Sequence, residues 1–215
     1  MRLRFNKQQE YRMPLQRVFF DTNIICNIRW IRSDATFENG FYDYKSQKFI
    51  KMDEKLRADC VALRWLIEKD DEFYLQFVTS KRVEQEILRL RSHEKRKELL
   101  EIYSSLKEHF RISQLDYLDE SDLPPVGLAS AQLLHRLDFL PQKTDRLLLV
   151  DSVRMQCHVF MTTDRKTIWK YQGPLRGLGI NVQIPSEYVS GLLPPMSPGN
   201  IGLLPYGNID DVLGK

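Results

Sequence analysis

Apolar positions in this chain come in short runs and in helical stripes, and the alternation of the two sets out its elements. Arg17-Val18-Phe19-Phe20 is a β-branched and aromatic run that closes on the turn-forming Asp21-Thr22-Asn23, which predicts a buried strand feeding a loop. Ile24-Ile25-Cys26-Asn27-Ile28 resumes an apolar pattern that can begin a helix. From Ser33 to Met52 aromatic residues (Phe37, Phe41, Tyr42, Tyr44, Phe49) mix with polar ones at no clear period, and Asn39-Gly40 signals a turn. That stretch reads as an insertion or long loop. Leu56, Cys60, Leu63 and Ile67 then recur at steps of four, three and four, the mark of an amphipathic helix.

Phe73-Tyr74-Leu75-Gln76-Phe77-Val78 is a second strand and stops at Thr79-Ser80, either of which can cap a long helix from about Lys81. Val83, Ile87, Leu90, Leu99, Ile102 and Leu106 supply its apolar positions around a heavily charged middle. Ser113 to Pro125 is an acidic connection, and Ala129 to Leu137 a short helix. Leu147 to Met155 is apolar nearly all round and predicts a buried helix, with Thr144 as a cap and Asp145 at its start. His158 to Met161 is a strand ending on Thr162-Thr163-Asp164, and Gly177 to Ile184 holds a helix end, a turn and a last strand. This order is that of an α/β protein with a mostly parallel sheet, whose ligands sit at the carboxyl ends of the strands.

Residues 191–207 break the pattern: they hold four of the ten prolines and four of the ten glycines, which excludes a helix or central strand. Gly191-Leu192-Leu193-Pro194 returns as Gly202-Leu203-Leu204-Pro205, one duplication and too little for a repeat architecture. The chain therefore divides into a basic extension over 1–16, a domain over 17–190 with expansions near 33–70 and 113–140, and a Pro/Gly tail over 191–215.

Composition adds exclusions more than identity. With 42% hydrophobic and 28% charged residues among 215, one ordinary folded domain is expected. Three cysteines without a C-x-x-C, no apolar stretch near the ~18 residues of a membrane span, and no export signal point to a reduced, cytoplasmic setting. The net charge of +3 announces no nucleic-acid binder, so any basic surface has to be local.

The informative feature is where the acids fall. Two predicted strands end in an Asp, Asp21 directly and Asp164 through two threonines, and a third leads into a helix carrying Glu84 and Glu86. A parallel sheet brings such ends to one edge, where like charges repel unless a hard cation such as Mg²⁺ or Mn²⁺ compensates them. Singly, each Asp is also an ordinary turn or N-cap residue. Glu86 flanks the Val83/Ile87/Leu90 stripe beside Leu90 and is preferred to Glu84, which reads as solvated; Asp145 is preferred to Asp151, although a first-turn acid is favoured by the helix dipole anyway.

These residues resemble a PIN domain, the metal-dependent ribonuclease family that includes many bacterial toxins of toxin–antitoxin pairs. The resemblance rests on Val18-Phe19-Phe20-Asp21-Thr22-Asn23, on Ser80 to Ile87, on Asp145 to Val150 and on Val159-Phe160-Met161-Thr162-Thr163-Asp164-Arg165, and it covers about 17 to 185. It implies a three-layer fold with a central, mostly parallel sheet flanked by helices. It also implies an acidic site of Asp21, Glu86, Asp145 and Asp164 that holds one or two Mg²⁺ or Mn²⁺ ions to hydrolyse RNA, with Asn23 and Thr162 as accessory positions. Compact members have shorter stretches where this chain is expanded, so its nearest functional relatives need not be the small toxins.

Substrate contacts are expected at Arg89 and Lys95, in a cluster with Arg91, Arg96 and Lys97, and at Arg165 and Lys166. Glu94, Glu98 and Glu101 interleave with that cluster, which also reads as a solvated helix face, whereas Arg2, Arg4, Lys7, Arg12 and Arg17 form a cleaner basic set. The aromatics of 37–49 can stack unpaired bases or join the core. His93, His109, His135 and His158 have no ligand spacing. The expected partners are RNA, a cognate antitoxin or inhibitor, and a second copy in a homodimer. Two alternatives stand beside the nuclease: a catalytically silent RNA-binding or scaffold protein of the same fold, and phosphoryl hydrolysis of the haloacid-dehalogenase kind, which Asn23 disfavours because that chemistry uses a second Asp there.

Overall fold

A computed structural model describes residues 16–32, 35–38, 41–44, 51–68, 74–109 and 128–192. The first strand, β1 (Gln16–Phe20), is followed by α1 (Thr22–Arg32), a pair of short strands β2 (Ala35–Glu38) and β3 (Phe41–Tyr44), and α2 (Glu54–Glu68). Next come β4 (Leu75–Val78), α3 (Lys81–Leu88), α4 (His93–His109), α5 (Leu128–Arg136) and α6 (Lys143–Arg154). The chain continues through β5 (Val159–Met161), a 3₁₀ turn (Trp169–Tyr171), α7 (Gln172–Gly177), β6 (Val182–Gln183) and α8 (Pro185–Leu192).

The expected α/β class holds: β4-β1-β5-β6 form one parallel sheet, flanked by helices in three layers. Around α1 pack α2, α3 and α4; α8 packs on α2, α5 on α6, and α7 on β6. Because both faces of the sheet are covered, β1 has no polar face: Val18, Phe19 and Phe20 are all buried. Phe19 stacks on Phe160 of β5 at 5.2 Å, and Phe20 on Phe77 of β4 at 4.6 Å, so neighbouring strands are locked in register by one ring pair each.

The sheet order has a consequence for function. From β1 the chain crosses to β4 on one side, then returns over β1 to place β5 on the other. The reversal lies between β1 and β5, and loops leaving those two strands diverge and open a crevice at their carboxyl ends. Asp21 and Thr162 to Asp164 are the residues at that switch point.

Several expectations change. The single long helix from Lys81 is two, α3 and α4, separated at residues 89–92. Twelve residues at ~100° each leave the Ile87 and Leu99 stripes about 120° apart, so a continuous helix could not bury both. The break re-phases them, and Val83, Ile87, Leu99, Ile102 and Leu106 are all buried. Ser92 starts the second helix, its hydroxyl accepting from the Lys95 amide at 3.3 Å. Within 33–52, read from the sequence as an insertion or long loop, residues 35–38 and 41–44 pair as an antiparallel two-stranded sheet. Thr144 is not a cap, since α6 starts two residues earlier with Gln142 as N-cap, and Ser80 occupies the N-cap of α3 without a side-chain capping bond. A helix over 185–192 takes in the first two residues of the expected tail.

Two turns into strands are closed in the same way. After α6, Gln156 adopts φ 55 while the amides of Gln156 and Cys157 donate to Val153 and Ser152; after α7, Gly179 adopts φ 79 while Gly179 and Ile180 donate to Arg176 and Leu175. The expectations for 1–15, for Asn39-Gly40, for 113–125 and for the tail beyond Leu192 fall outside the described residues. Among the described residues no helix is long and apolar enough to cross a membrane.

Candidate acidic site at the strand ends

Asp21 leaves β1 almost fully buried, with 1% of its surface exposed. One carboxylate oxygen accepts the Ile24 amide at 2.8 Å and so caps α1; the other accepts the Thr162 hydroxyl at 2.5 Å. Asp164 is built alike: one oxygen accepts the amides of Lys166 and Thr167, at 2.9 and 2.8 Å, and the other accepts the Thr167 hydroxyl. The capping reading of each Asp is therefore true of one oxygen only. The cap fixes the side-chain rotamer, and the second oxygen is thereby held in place without entropy to lose later.

Asp145 stands in the first turn of α6, 9% exposed, and one of its oxygens is buried without a hydrogen-bond partner. Glu86, on the last turn of α3, accepts the hydroxyl of Thr22 from the first turn of α1. These four acids feel one another. Burial raises Asp21 to about 7 against the donors Thr162 and Ile24, and the charges of Asp164 and Asp145 push it further up. Burial likewise lifts Asp145 to about 6, with Asp164 and Glu86 adding repulsion and Thr167 opposing. Chain segments far apart in sequence thus bring Asp21, Glu86, Asp145 and Asp164 into one electrostatic neighbourhood.

The two rivals separate cleanly. Asp151 lies a third of a turn from Asp145 around α6 and faces Arg82 at 3.0 Å and Arg154 at 4.0 Å. Burial pushes its carboxyl up, and Arg82, the Ser80 hydroxyl and Arg154 pull it back. It ties α6 to α3 and does not belong to the acidic group. Glu84 is half-buried, and it is Glu86 whose charge reaches Asp145.

Of the accessory positions, Thr162 is fully buried and meets Asp21, whereas Asn23 is exposed. Arg89 is exposed at the end of α3, and Lys95 is half-buried, close enough for its charge to lower the Cys26 thiol that burial otherwise raises. Asp21 and Glu86 raise the same thiol, and Arg29 lowers it with Lys95. Lys166 is exposed. Arg165 differs from the expectation of a substrate contact: its guanidinium is paired with Asp59 of α2 at 2.7 Å, and that fully buried carboxylate also accepts the Ser186 hydroxyl at 2.6 Å. A buried carboxylate recruits the nearest fixed cation, and in the sequence Asp59 is one polar residue beside an amphipathic stripe, with no signal of its burial.

Thr22, Asn27 and Thr167 were missed as well. Asn27 donates to the Thr163 hydroxyl at 2.7 Å, so Thr162, Thr163, Asp164 and Arg165 are each fastened to a different partner: Asp21, Asn27, Thr167 and Asp59. The Asp164-x-x-Thr167 spacing carried a readable turn signal; Thr22 and Asn27 carried none.

The donor set is all oxygen and suits a hard divalent cation. Among the described residues no three acids, His or Cys close up into a ligand group, and threonine hydroxyls hold Asp21, Glu86 and Asp164. The partnerless Asp145 oxygen is the feature that fits a cation, since a buried acceptor with no donor is otherwise costly. No family model, curated protein or solved structure matches this chain.

Proposed function

We propose that this protein is a Mg²⁺- or Mn²⁺-dependent endoribonuclease of PIN type that hydrolyses RNA phosphodiesters at the Asp21/Glu86/Asp145/Asp164 group. One observation carries the reading: Asp21 and Asp164 follow the two strands that flank the switch point of a parallel sheet, the charge of Asp145 couples to both and to Glu86, and Asp145 leaves a buried oxygen unpartnered. Asp145 and Asp164 would hold the cation, with Asp21 and Glu86 completing the donor set. When bound, it supplies Lewis acidity at phosphate oxygens and a water of lowered pKa. The protein's own part is positional. Thr162 and the α1 cap hold Asp21, the Asp164 turn is locked by the amides of Lys166 and Thr167, and Asp21, its carboxyl raised by burial, would be ionised where a cation is held.

Incubating the purified full chain with single-stranded and hairpin RNA in Mn²⁺, with and without EDTA, tests this. Metal-dependent internal cleavage that Asp145→Asn abolishes supports it; cleavage that persists in EDTA, or in the variant, overturns it. A second reading, RNA binding without turnover, draws on the threonine hydroxyls that occupy three of the four acids. It expects RNA retention in EDTA and no products. Growth arrest on expression, lost in Asp145→Asn and relieved by a co-expressed partner, would extend the nuclease reading to a toxin with an antitoxin.

A further inference from the structure

The segment that leaves the acidic site runs Asp164-Arg165-Lys166-Thr167-Ile168-Trp169-Lys170-Tyr171, a short alternation of cations and aromatic rings. Ile168 is buried and anchors it, while Lys166 and Lys170 are exposed and Trp169 and Tyr171 half-exposed. The Lys170 ammonium lies over the Tyr171 ring at 4.7 Å, and the ring of Phe139 meets Tyr171 at 5.6 Å, tilted by 56°.

Phe139 is the unusual member. It belongs to a tight turn closed by the Leu140 amide on the Leu137 carbonyl, in which Leu137 and Leu140 are fully buried and Phe139 is 38% exposed. Lone exposed apolar residues are ordinary. What sets Phe139 apart is that its ring is paired and its turn is fastened to the site: the neighbouring Asp138 is bound by Arg146, the residue after Asp145. On the other side, the Trp169 amide donates to the Asp164 carbonyl at 2.9 Å. Phe139 and Tyr171 therefore join the chain segments that carry Asp145 and Asp164, six and seven residues from those acids.

We propose that Phe139 and Tyr171 form a stacking subsite for an unpaired base of a single-stranded RNA lying across the acidic site, with Lys166 and Lys170 on its phosphates. This rests on the nuclease reading for the identity of the strand and adds the direction it takes, along the 3₁₀ turn toward the α5–α6 connection. Stacking on an exposed ring tolerates any base but requires it to be unpaired, so the subsite selects single strands over duplex. Phosphate contacts from two lysines add affinity that falls with salt.

The test uses the full chain in EDTA, so that no cleavage intervenes, and a 12-nucleotide single-stranded RNA carrying one 2-aminopurine. Anisotropy reads affinity and aminopurine quenching reads stacking. Phe139→Ala should weaken binding roughly 5- to 100-fold and remove the quenching without changing the salt slope, while Phe139→Trp restores both. Lys170→Ala should instead lower the slope of log K against log salt by ~0.7. Equal affinity and quenching in Phe139→Ala and the unmodified protein, or equal binding of a blunt duplex of the same sequence, overturns the proposal. Quenching that depends on Phe139 in a protein that cleaves nothing in Mn²⁺ keeps the subsite and removes the nuclease reading; cleavage with no dependence on Phe139 does the reverse.

Discussion

Replacing Asp21 by Asn should stabilise this protein at alkaline pH when no divalent cation is present. Asp21 is raised from 3.8 to about 7, mainly by burial. Between those values the folded state binds more protons than the unfolded chain, so stability falls as pH rises through the window. At 1.36 kcal/mol per unit, the ionised carboxyl destabilises the fold by on the order of 4 kcal/mol at pH 8, and by nothing below pH ~4. Asparagine is neutral throughout and keeps the cap to the Ile24 amide; re-pairing its amide with Thr162 costs about 1 kcal/mol. The net gain at pH 8 is about 3 kcal/mol, worth roughly 6–12 °C in a domain of this size. Thermal unfolding in EDTA from pH 4.5 to 8.5 measures it: the unmodified protein should lose stability as pH rises, and Asp21→Asn should flatten most of that loss. Asp145, raised to about 6 and partly by the same mutual repulsion, leaves a shallower fall between pH ~4 and 6. If Asp21→Asn melts lower at pH 8 and keeps the full pH slope, the carboxyl is not a buried, repelled acid and the reasoning fails.

Other residues give sharper contrasts. Arg165→Gln strands the buried Asp59 and should destabilise by about 3 kcal/mol, whereas Asp59→Asn/Arg165→Gln should recover most of it in urea unfolding; additive losses would refute the coupling. Glu86→Gln should reduce Mn²⁺ binding by isothermal calorimetry roughly 10- to 100-fold, and Glu84→Gln should leave it unchanged, because it is the charge of Glu86 that acts on Asp145; equal effects would overturn the assignment. Gly179→Ala should cost ~1–2 kcal/mol in the same unfolding assay, all of it backbone strain at φ 79, since no atom lies within 4 Å of the added carbon. A neutral result there would mean the turn relaxes.

Elements were legible wherever one period ran long enough to bury a face. The Val18-Phe19-Phe20 run, the Leu56 to Ile67 stripe and the Leu147 to Met155 segment each became the strand or helix their pattern requires, because that burial is local to the element. Strand-end acids were legible too, since a run that stops at Asp21 or Asp164 marks its own carboxyl end. The break at 89–92 was not, because stripes either side of it look continuous until their phase is compared against a sheet whose position the pattern does not carry.

By itself, then, the sequence determined the α/β order, the parallel sheet and the set of acids from which a site could be drawn. Choosing among them belonged to the tertiary structure. Asp145 and Asp151 share one helix and one chemistry, yet the turn of α6 leaves the first under the charges of Asp164 and Glu86 and pairs the second with Arg82 and Arg154. Arg165 was a free cation in the sequence until folding buried Asp59 beside it. Period and propensity are properties of neighbouring residues, whereas a carboxylate's partner, and hence its charge and its use, also depends on residues remote in the chain, as Arg82 is from Asp151 and Arg165 from Asp59.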